Sequence, residues 1–207
     1  MNKILHIEAS PRGGRSGSSQ LATWFLDAYR KANPDDSLET LNVFEADLPA
    51  FGADAAHAKF APIFQEEVSE EQSAIWDSVK SQIEHFDASD KIVVSCPMWN
   101  YSVPYPLKHY IDILVQPILT FGYDFEKMVH LGLLRNRPVQ LLLTRSSTPP
   151  GAPYDFQLPY LRHIFGSIGL NDIRQIVAPQ TTQPSAEARA DYIASFRDEC
   201  EKQAEAF

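Results

Sequence analysis

The sequence predicts an α/β fold built on a doubly wound, five-stranded parallel sheet with helices on both faces. Short apolar segments alternate along the chain with longer segments in which apolar residues recur at helical spacing. The central apolar segments, such as residues 91–96 (KIVVSC), are continuous rather than alternating. Continuous runs indicate strands that are buried on both faces, as in a parallel sheet covered by two layers of helices.

Length and composition are those of an ordinary globular chain, with 207 residues, 44% hydrophobic and 22% charged. We therefore expect one domain over residues 1–207. The net charge of −9 argues against a nucleic-acid partner, because binding phosphate backbones requires a basic surface. Apolar stretches are too short to cross a bilayer, and residues 1–5 do not begin a secretion signal. We expect a cytoplasmic protein with no membrane partner.

The cysteines and histidines predict neither a disulfide nor a metal site. Cys96 and Cys200 form no CxxC pair, and the six histidines show no HExxH spacing. We therefore expect two free thiols and no bound metal.

The predicted strands are short, rich in Ile, Leu and Val, and bounded by polar or turn-forming residues. They are residues 3–9, 38–44, 91–96, 138–144 and 172–178. The first helix is separated from the second strand by Asn33-Pro34-Asp35-Asp36, a sequence that ends helices.

The predicted helices lie between the strands and show apolar residues at intervals of three and four. They are residues 20–32, 69–86, a segment with Pro104 in its first turn that ends before Pro117, 156–168 and 185–204. Ser69 and Gln72 resemble a capping box at the start of the second helix. Residues 45–64 and 121–134 show no clean period, and we interpret both as irregular connections.

Right-handed crossovers in this order give the strand order 2-1-3-4-5. In that topology, ligands bind at the carboxyl ends of strands 1 and 3. The loops after strands 1, 3 and 4 therefore meet at one edge of the sheet, at residues 10–18, 97–101 and 144–147.

The loop after strand 1, SPRGGRSGSS at residues 10–19, has the chemistry of a phosphate site. Its glycines allow close approach of the backbone, its serines provide hydroxyls, and the helix start beyond it offers N–H groups. It is neither a GxGxxG fingerprint nor a nucleotide P-loop, which ends in Gly-Lys-Ser/Thr. The alternative is a polar turn whose serine only caps the helix.

The second loop carries Met98, Trp99, Asn100 and Tyr101, which form a flat apolar wall with a polar backbone, and the third is rich in hydroxyls. A phosphate site at one end and a wall for a planar group at the other fit flavin mononucleotide (FMN). Alternatively, the large apolar side chains of the second loop pack in the core or against neighbouring loops, and Arg145 is a solvated loop charge.

Together these motifs resemble the FMN-dependent NADH-azoreductase family, also described as FMN-dependent NADH:quinone oxidoreductases, within the flavodoxin-like superfamily. The resemblance covers nearly the whole chain. Its matching residues are Ser10, Ser16-Gly17-Ser18, Pro97-Met98-Trp99-Asn100-Tyr101, Leu107-Lys108, Thr120-Phe121-Gly122-Tyr123, Thr144-Arg145 and Pro159-Tyr160-Leu161.

The resemblance implies bound FMN, NADH or NADPH as the electron donor, and a quinone as the acceptor, with azo compounds as a side activity. Both substrates would use one slot in turn, which gives ping-pong kinetics. It also implies a homodimer with each site near the interface. We hypothesise that Phe121, Tyr123 and Phe165 help to close the slot; the alternative is that Tyr123 and Phe165 are core residues. No side chain is assigned a catalytic role. The implied cofactor-binding residues are Ser10, Ser16, Gly17, Ser18, Met98, Trp99, Asn100, Tyr101, Thr144, Arg145, Ser146 and Ser147.

The third loop departs from the family pattern. It reads Thr-Arg-Ser-Ser-Thr-Pro-Pro from Thr144 to Pro150, whereas the family has two glycines followed by a Tyr or His. We expect a stiffer loop of different shape. The catalytic role of that Tyr or His is not carried over, because Pro149 occupies the nearby position.

Other functional classes stay open on the sequence. They are a flavodoxin-like electron carrier, a flavin-binding regulatory protein without turnover, and an NADPH-linked FMN reductase or FAD-type quinone reductase. The acidic balance suits a carrier, but the first loop lacks that family's threonine-rich phosphate sequence. Cys96 is either an inert buried thiol or, beside the predicted site, a target for electrophilic quinones.

Overall fold

The computed structural model describes residues 1–207 and contains the predicted parallel sheet. Five strands lie in the order β2-β1-β3-β6-β7, all parallel, and β4 and β5 form a separate antiparallel pair. Without the short pair, this is the predicted order 2-1-3-4-5, which is therefore confirmed. The strands are β1 (Lys3–Glu8), β2 (Ser37–Asn42), β3 (Lys91–Pro97), β4 (Phe121–Asp124), β5 (Val129–Gly132), β6 (Val139–Thr144) and β7 (Ile173–Ala178).

Helices cover both faces of the sheet. They are α1 (Gly17–Ala32), α2 (Ala53–Phe64), α3 (Glu70–Asp87), α4 (Tyr105–Leu114), α5 (Leu158–Ser167), α6 (Ala186–Ala194) and α7 (Arg197–Glu205). One apolar cluster joins one sheet face to α1, α6 and α7, and a larger cluster joins the other face to α3, α4 and α5. The helix α2 packs against α3.

Successive residues of the central strands point to opposite faces, so a continuous apolar strand supplies both clusters. In β3, Ile92 and Val94 belong to the larger cluster, whereas Val93 belongs to the smaller one. All six residues of β6 are buried. The buried sheet thus provides a fixed edge from which the site loops extend.

The interpretation of residues 45–64 as an irregular connection is wrong, because α2 occupies the second half of that segment. Its buried face consists of three alanines, Ala55, Ala58 and Ala61, which give a weak hydrophobic period. Pro62 lies in the last turn, and the helix ends two residues later at Phe64. A proline so close to the end disturbs little of the helix.

The predicted helix over residues 185–204 is two helices, α6 and α7. The Ser195 hydroxyl donates to the carbonyl of Tyr192 at 2.7 Å, a local bond that competes with the helix backbone. After this break, α7 packs Cys200 and Ala204 into the smaller cluster. Residues 121–134, expected to be irregular, contain the β4–β5 hairpin, whose turn is held by Asp124 accepting the N–H groups of Glu126 and Lys127.

None of the seven α-helices combines the length and the apolar composition that crossing a membrane requires.

Candidate functional site

The loop after β1 places three serine hydroxyls in a buried cradle. The chain leaves the strand at Ser10, makes a short 3₁₀ turn at Gly13–Arg15, and enters α1 at Gly17. Gly13 has a φ of 50°, a conformation that glycine adopts without steric cost. Ser10, Ser16 and Ser18 are buried, and the Ser16 and Ser18 hydroxyl oxygens lie 3.0 Å apart.

The start of α1 leaves its first N–H groups available. The first intrahelical bond runs from the Gln20 N–H to the Ser16 carbonyl, so Gly17, Ser18 and Ser19 precede it. Ser16 is the N-cap residue, yet its side chain makes no capping bond, and no acidic residue lies in the first turn. Open N–H groups and the positive end of the helix dipole together favour an anion here. The alternative that a serine merely caps this helix is wrong.

Gly17 brings the first loop against the end of β6. A Cβ at this position would lie 3.0 Å from the Ile193 Cδ1 and 3.3 Å from the Thr144 Cγ2. A side chain at residue 17 would therefore fit only if Ile193 and Thr144 moved by a few tenths of an ångström. Thr144 is the last residue of β6, so the end of the first loop lies beside the start of the third.

The loop after β3 makes a tight turn in a rare backbone conformation. Trp99 and Ser102 exchange two backbone hydrogen bonds of 2.9 Å, and the two residues between them have positive φ, 46° at Asn100 and 68° at Tyr101. Two consecutive left-handed residues define a type I′ turn. Asn tolerates this conformation, but Tyr does not favour it, and strain of this kind concentrates at functional sites.

The aromatic side chains of this turn are not core residues. Trp99 is 37% exposed and Tyr101 is 55% exposed. The Trp99 ring lies 5.7 Å from the Phe44 ring, and the Tyr101 ring lies 5.6 Å from the Tyr154 ring, both edge to face. These two side chains therefore pack on neighbouring loops and not in the core, and the aromatic wall is larger than the sequence indicated.

Sequence reasoning missed Phe44 and Tyr154 as parts of this wall. Phe44 follows β2 by two residues, so the parallel sheet carries it to the same edge as the predicted loops. Its position at the end of the predicted second strand could have identified Phe44 as part of the site. Tyr154 arrives through the fold of the third loop, which no local pattern indicated.

The third loop begins with Thr144 and has a buried charge at its base. The Thr144 carbonyl accepts the Met98 N–H at 2.7 Å, which ties the second and third loops together. Ser146 and Ser147 are exposed, but Arg145 is buried and its guanidinium forms a 2.7 Å ion pair with Asp155. Arg145 is thus no solvated charge, and its side chain is directed into the protein instead of lining the open edge. A direct cofactor contact by that side chain, as the resemblance implied, does not fit this placement.

Two further candidate residues, Cys96 and Phe165, are buried in the core. Cys96 is fully buried, and burial raises the pKa of its thiol to about 12, which disfavours the reactive thiolate. The structure therefore favours the interpretation of Cys96 as an inert buried thiol over that of a target for quinones. Phe165 is also buried and stacks on Phe86 with ring centroids 6.5 Å apart, so it belongs to the core and does not close a slot.

Fold and site together define the class of protein. A doubly wound sheet with an anion-binding loop after β1 and an aromatic turn after β3 has the architecture of a flavodoxin-like protein. The sequence profile described as "Flavodoxin-like fold" matches residues 2–204.

Individual relatives define the family more narrowly. The FMN-dependent NADH:quinone oxidoreductase of Nitratidesulfovibrio vulgaris is 48% identical over 185 residues, which cover 87% of this chain and 88% of that protein. The protein of the same name from Ruegeria pomeroyi is 41% identical over 179 residues, which cover 84% and 86%. The crystal structure of azoreductase from Bacillus anthracis superposes with a TM-score of 0.89 at 26% identity over 100% of both chains. The chain belongs to the family of FMN-dependent NADH:quinone oxidoreductases.

Proposed function

We propose that this protein uses FMN to transfer two electrons from NADH to quinones, and that azo compounds are reduced as a side activity. The observation that carries the proposal is the arrangement at the carboxyl ends of β1 and β3. The anion-binding start of α1 and the exposed aromatic turn both lie at this edge. They follow β1 and β3, which are neighbouring strands, so the spacing of the strands sets the distance between them. The names of the relatives describe the same chemistry.

The first loop fits the phosphate of FMN. The hydroxyls of Ser10, Ser16 and Ser18 and the N–H groups of Gly17 and Ser18 are all donors on one buried cradle without an acidic residue in the helix turn. A phosphate dianion requires this set of donors, and each charge-assisted bond contributes about 1.5–3 kcal/mol. The buried hydroxyls of Ser16 and Ser18 have only each other as partners, which would be a poor arrangement without such a ligand.

The second and third loops fit the ring system. Met98 to Tyr101 provide an apolar edge and a backbone turned outward by positive φ, while Thr144, Ser146 and Ser147 border the other side. FMN, when bound, supplies the two-electron carrier chemistry that no side chain offers. The chain would hold it between these loops. The family resemblance implies that donor and acceptor share one slot, so they would use it in turn, in a ping-pong sequence.

Protons for the reduced acceptor come from solvent in this scheme. The ionisable side chains at the base of the third loop, Arg145 and Asp155, are buried and paired with each other. Neither can exchange a proton with a substrate at the exposed edge. We therefore assign a catalytic role to neither side chain.

We also propose that the protein is a homodimer. The β4–β5 hairpin and the segments beside it expose large apolar side chains, namely Ile118, Phe125, Met128, Val129, Leu131 and Leu133. A groove of about 800 Å³ beside Trp99 and Asn100 runs along α4. Contiguous exposed apolar surface of this kind indicates a protein interface, and a second copy packed there would narrow the entrance to the site.

The cytoplasm is the proposed location, because NADH is generated there. Both cysteines are free, which agrees with a reducing compartment.

An absorbance experiment tests the function. The purified protein is incubated with FMN, desalted, and examined before and after anaerobic addition of NADH and then of a benzoquinone. We expect flavin bands that survive desalting, bleach with NADH and return with the quinone. A protein that stays colourless contradicts the proposal, and one that retains FMN but is not reoxidised by the quinone is an electron carrier.

A matched pair of variants connects this result to the first loop. Ser18→Ala removes a buried donor and is expected to weaken FMN binding about tenfold or more, as the loss of one bond to a charged group predicts. Ser81→Ala removes an exposed serine of α3 and is expected to keep the parental affinity.

A further inference from the structure

The third loop is closed at its base by a buried ion pair. The Arg145 Nη1 donates to the Asp155 Oδ2 at 2.7 Å, and the Arg145 Nε donates to the Gln157 Oε1 at 3.0 Å. Both charged side chains are completely buried. The nine residues between Arg145 and Asp155 therefore form a loop whose two ends are clamped together in the interior.

Asp155 also holds the segments on either side of it. Its Oδ1 accepts the N–H groups of Gln157 and Leu158 at the start of α5, and its Oδ2 accepts the Gly151 N–H at 3.4 Å. One carboxylate thus joins the loop, the arginine at its base and the following helix.

The same cluster reaches β3 and the loop that follows it. The Gln157 Nε2 donates to the carbonyl of Cys96, in β3, at 3.1 Å. Nearby, the Phe156 N–H donates to the carbonyl of Tyr101 at 3.0 Å, and the Ser102 hydroxyl donates to the carbonyl of Phe156 at 3.4 Å. The segment that closes the third loop is therefore tied to β3 through Gln157 and to the type I′ turn through Phe156.

The pair is poorly arranged as a source of stability. The Arg145 Nη2 is buried and has no hydrogen-bond partner in the protein. Burying two charges is costly, and a buried pair with an unpaired donor recovers less of that cost. The pair instead specifies one geometry, because the planar guanidinium of Arg145 can donate to both Asp155 and Gln157 in only one arrangement.

We propose that Arg145, Asp155 and Gln157 are positioning residues that hold the third loop closed against the type I′ turn before FMN binds. This inference rests on the proposed function, because the two loops border the proposed FMN site. The closure itself is made by contacts within the chain, so it can be tested without FMN. Ser146 and Ser147, which follow Arg145 directly, take their positions from this clamp.

The test uses two variants that change the clamp differently. Asp155→Asn keeps the shape but removes the charge that Arg145 requires. The double variant Arg145→Met/Asp155→Leu replaces the pair with apolar side chains of similar size and leaves no unpaired charge in the interior. Arg162→Met removes an exposed arginine of α5 and serves as the charge control.

Hydrogen exchange in the FMN-free proteins measures closure directly. The amides of Gly151, Ala152 and Phe156 report on it, because each donates within the loop or to the turn. We expect at least tenfold faster exchange at these amides in both clamp variants and parental exchange in Arg162→Met. Unchanged exchange in Asp155→Asn overturns the proposal, whatever the double variant does.

Titration with FMN, followed by flavin fluorescence, separates positioning from stability. We expect the double variant to have a lower thermal midpoint, because the N–H groups of Gln157 and Leu158 lose their acceptor. At a temperature where it stays folded, its Kd for FMN should rise about tenfold. A parental Kd in a double variant with fast-exchanging loop amides also overturns the proposal. If the parent itself fails to bind FMN, the proposed function fails, but the exchange measurement still decides whether the clamp closes the loop.

Discussion

At the residue scale, the site depends on backbone conformations that only certain residues accept. Asn100 and Tyr101 are consecutive left-handed residues, and Gly17 sits where any Cβ would contact Ile193 and Thr144. What matters at these positions is whether the residue lets the chain turn sharply or lets two elements pack closely together. These positions show how a loop sequence determines the direction in which backbone N–H groups point.

Asn100 provides a direct test of the turn. Alanine lacks the local hydrogen bonding that makes a left-handed conformation tolerable for Asn, so Asn100→Ala is expected to lower the free energy of unfolding by about 1 kcal/mol. Asn100→Gly is expected to be more stable than the alanine variant, because glycine adopts positive φ without steric cost. Urea unfolding of the three proteins measures the difference. Equal stability of the two variants would show that the φ of this residue does not limit the turn.

At the element scale, the sheet and α1 are joined by a few specific contacts. Gly17 allows α1 to start directly against β6 and α6. His6 lies in the central sheet, with its Nε2 2.9 Å from the Ser95 hydroxyl on β3 and its Nδ1 3.3 Å from the Thr40 hydroxyl on β2. It thus connects three neighbouring strands behind the first loop.

Enlarging Gly17 should displace the start of α1. Gly17→Val is expected to lower the free energy of unfolding by about 1–3 kcal/mol, the usual cost of overpacking, and to weaken FMN binding because the open N–H groups move. Gly14 lies in the same loop with nothing within 4 Å of its Cβ position. Gly14→Ala should therefore match the parent within about 0.5 kcal/mol in chemical denaturation. A Gly17→Val protein as stable as the parent would mean that Ile193 moves aside freely.

His6 should make stability depend on pH. Burial lowers the pKa of its imidazole from 6.5 to about 4, so the folded protein disfavours the charged form. The stability it contributes is fully present above pH 6.5 and is lost as the pH falls towards 4, at up to about 1.4 kcal/mol per pH unit. Urea midpoints measured across this range should fall less steeply in His6→Gln. His163→Gln, at an exposed position on α5, should keep the parental slope, and the same slope in both variants would exclude His6 as the cause.

At the scale of the whole molecule, one edge of the sheet carries the site and the two apolar clusters hold that edge in place. Strand order, both helical layers and the loops after β1 and β3 were all predictable, because buried strands and helical periods are local patterns. The helix α2 was not, since its buried face is made of alanines. The burial of Arg145 was not predictable either, because its partner lies ten residues away in a loop without periodic structure.

Self-association is the prediction that belongs to the whole molecule. The 23.3 kDa chain should sediment as a dimer at micromolar concentration. Replacing two exposed hairpin residues, in Phe125→Ser/Leu131→Ser, should shift it to the monomer because apolar area at the interface is lost. Val68→Ser, an exposed apolar position between α2 and α3, should leave the dimer intact. A monomeric parent would contradict the homodimer.

The Arg145–Asp155 clamp at the base of the third loop also affects how quickly the protein binds FMN. Three prolines, Pro149, Pro150 and Pro153, restrict the loop, and the Arg145–Asp155 ion pair closes its base. A receptor that is already shaped loses little conformational freedom on binding. Loading with FMN should therefore be a single second-order event whose rate rises in proportion to FMN concentration, without the plateau that a slow loop rearrangement would impose. Newly made protein would then become active as fast as the cell supplies flavin.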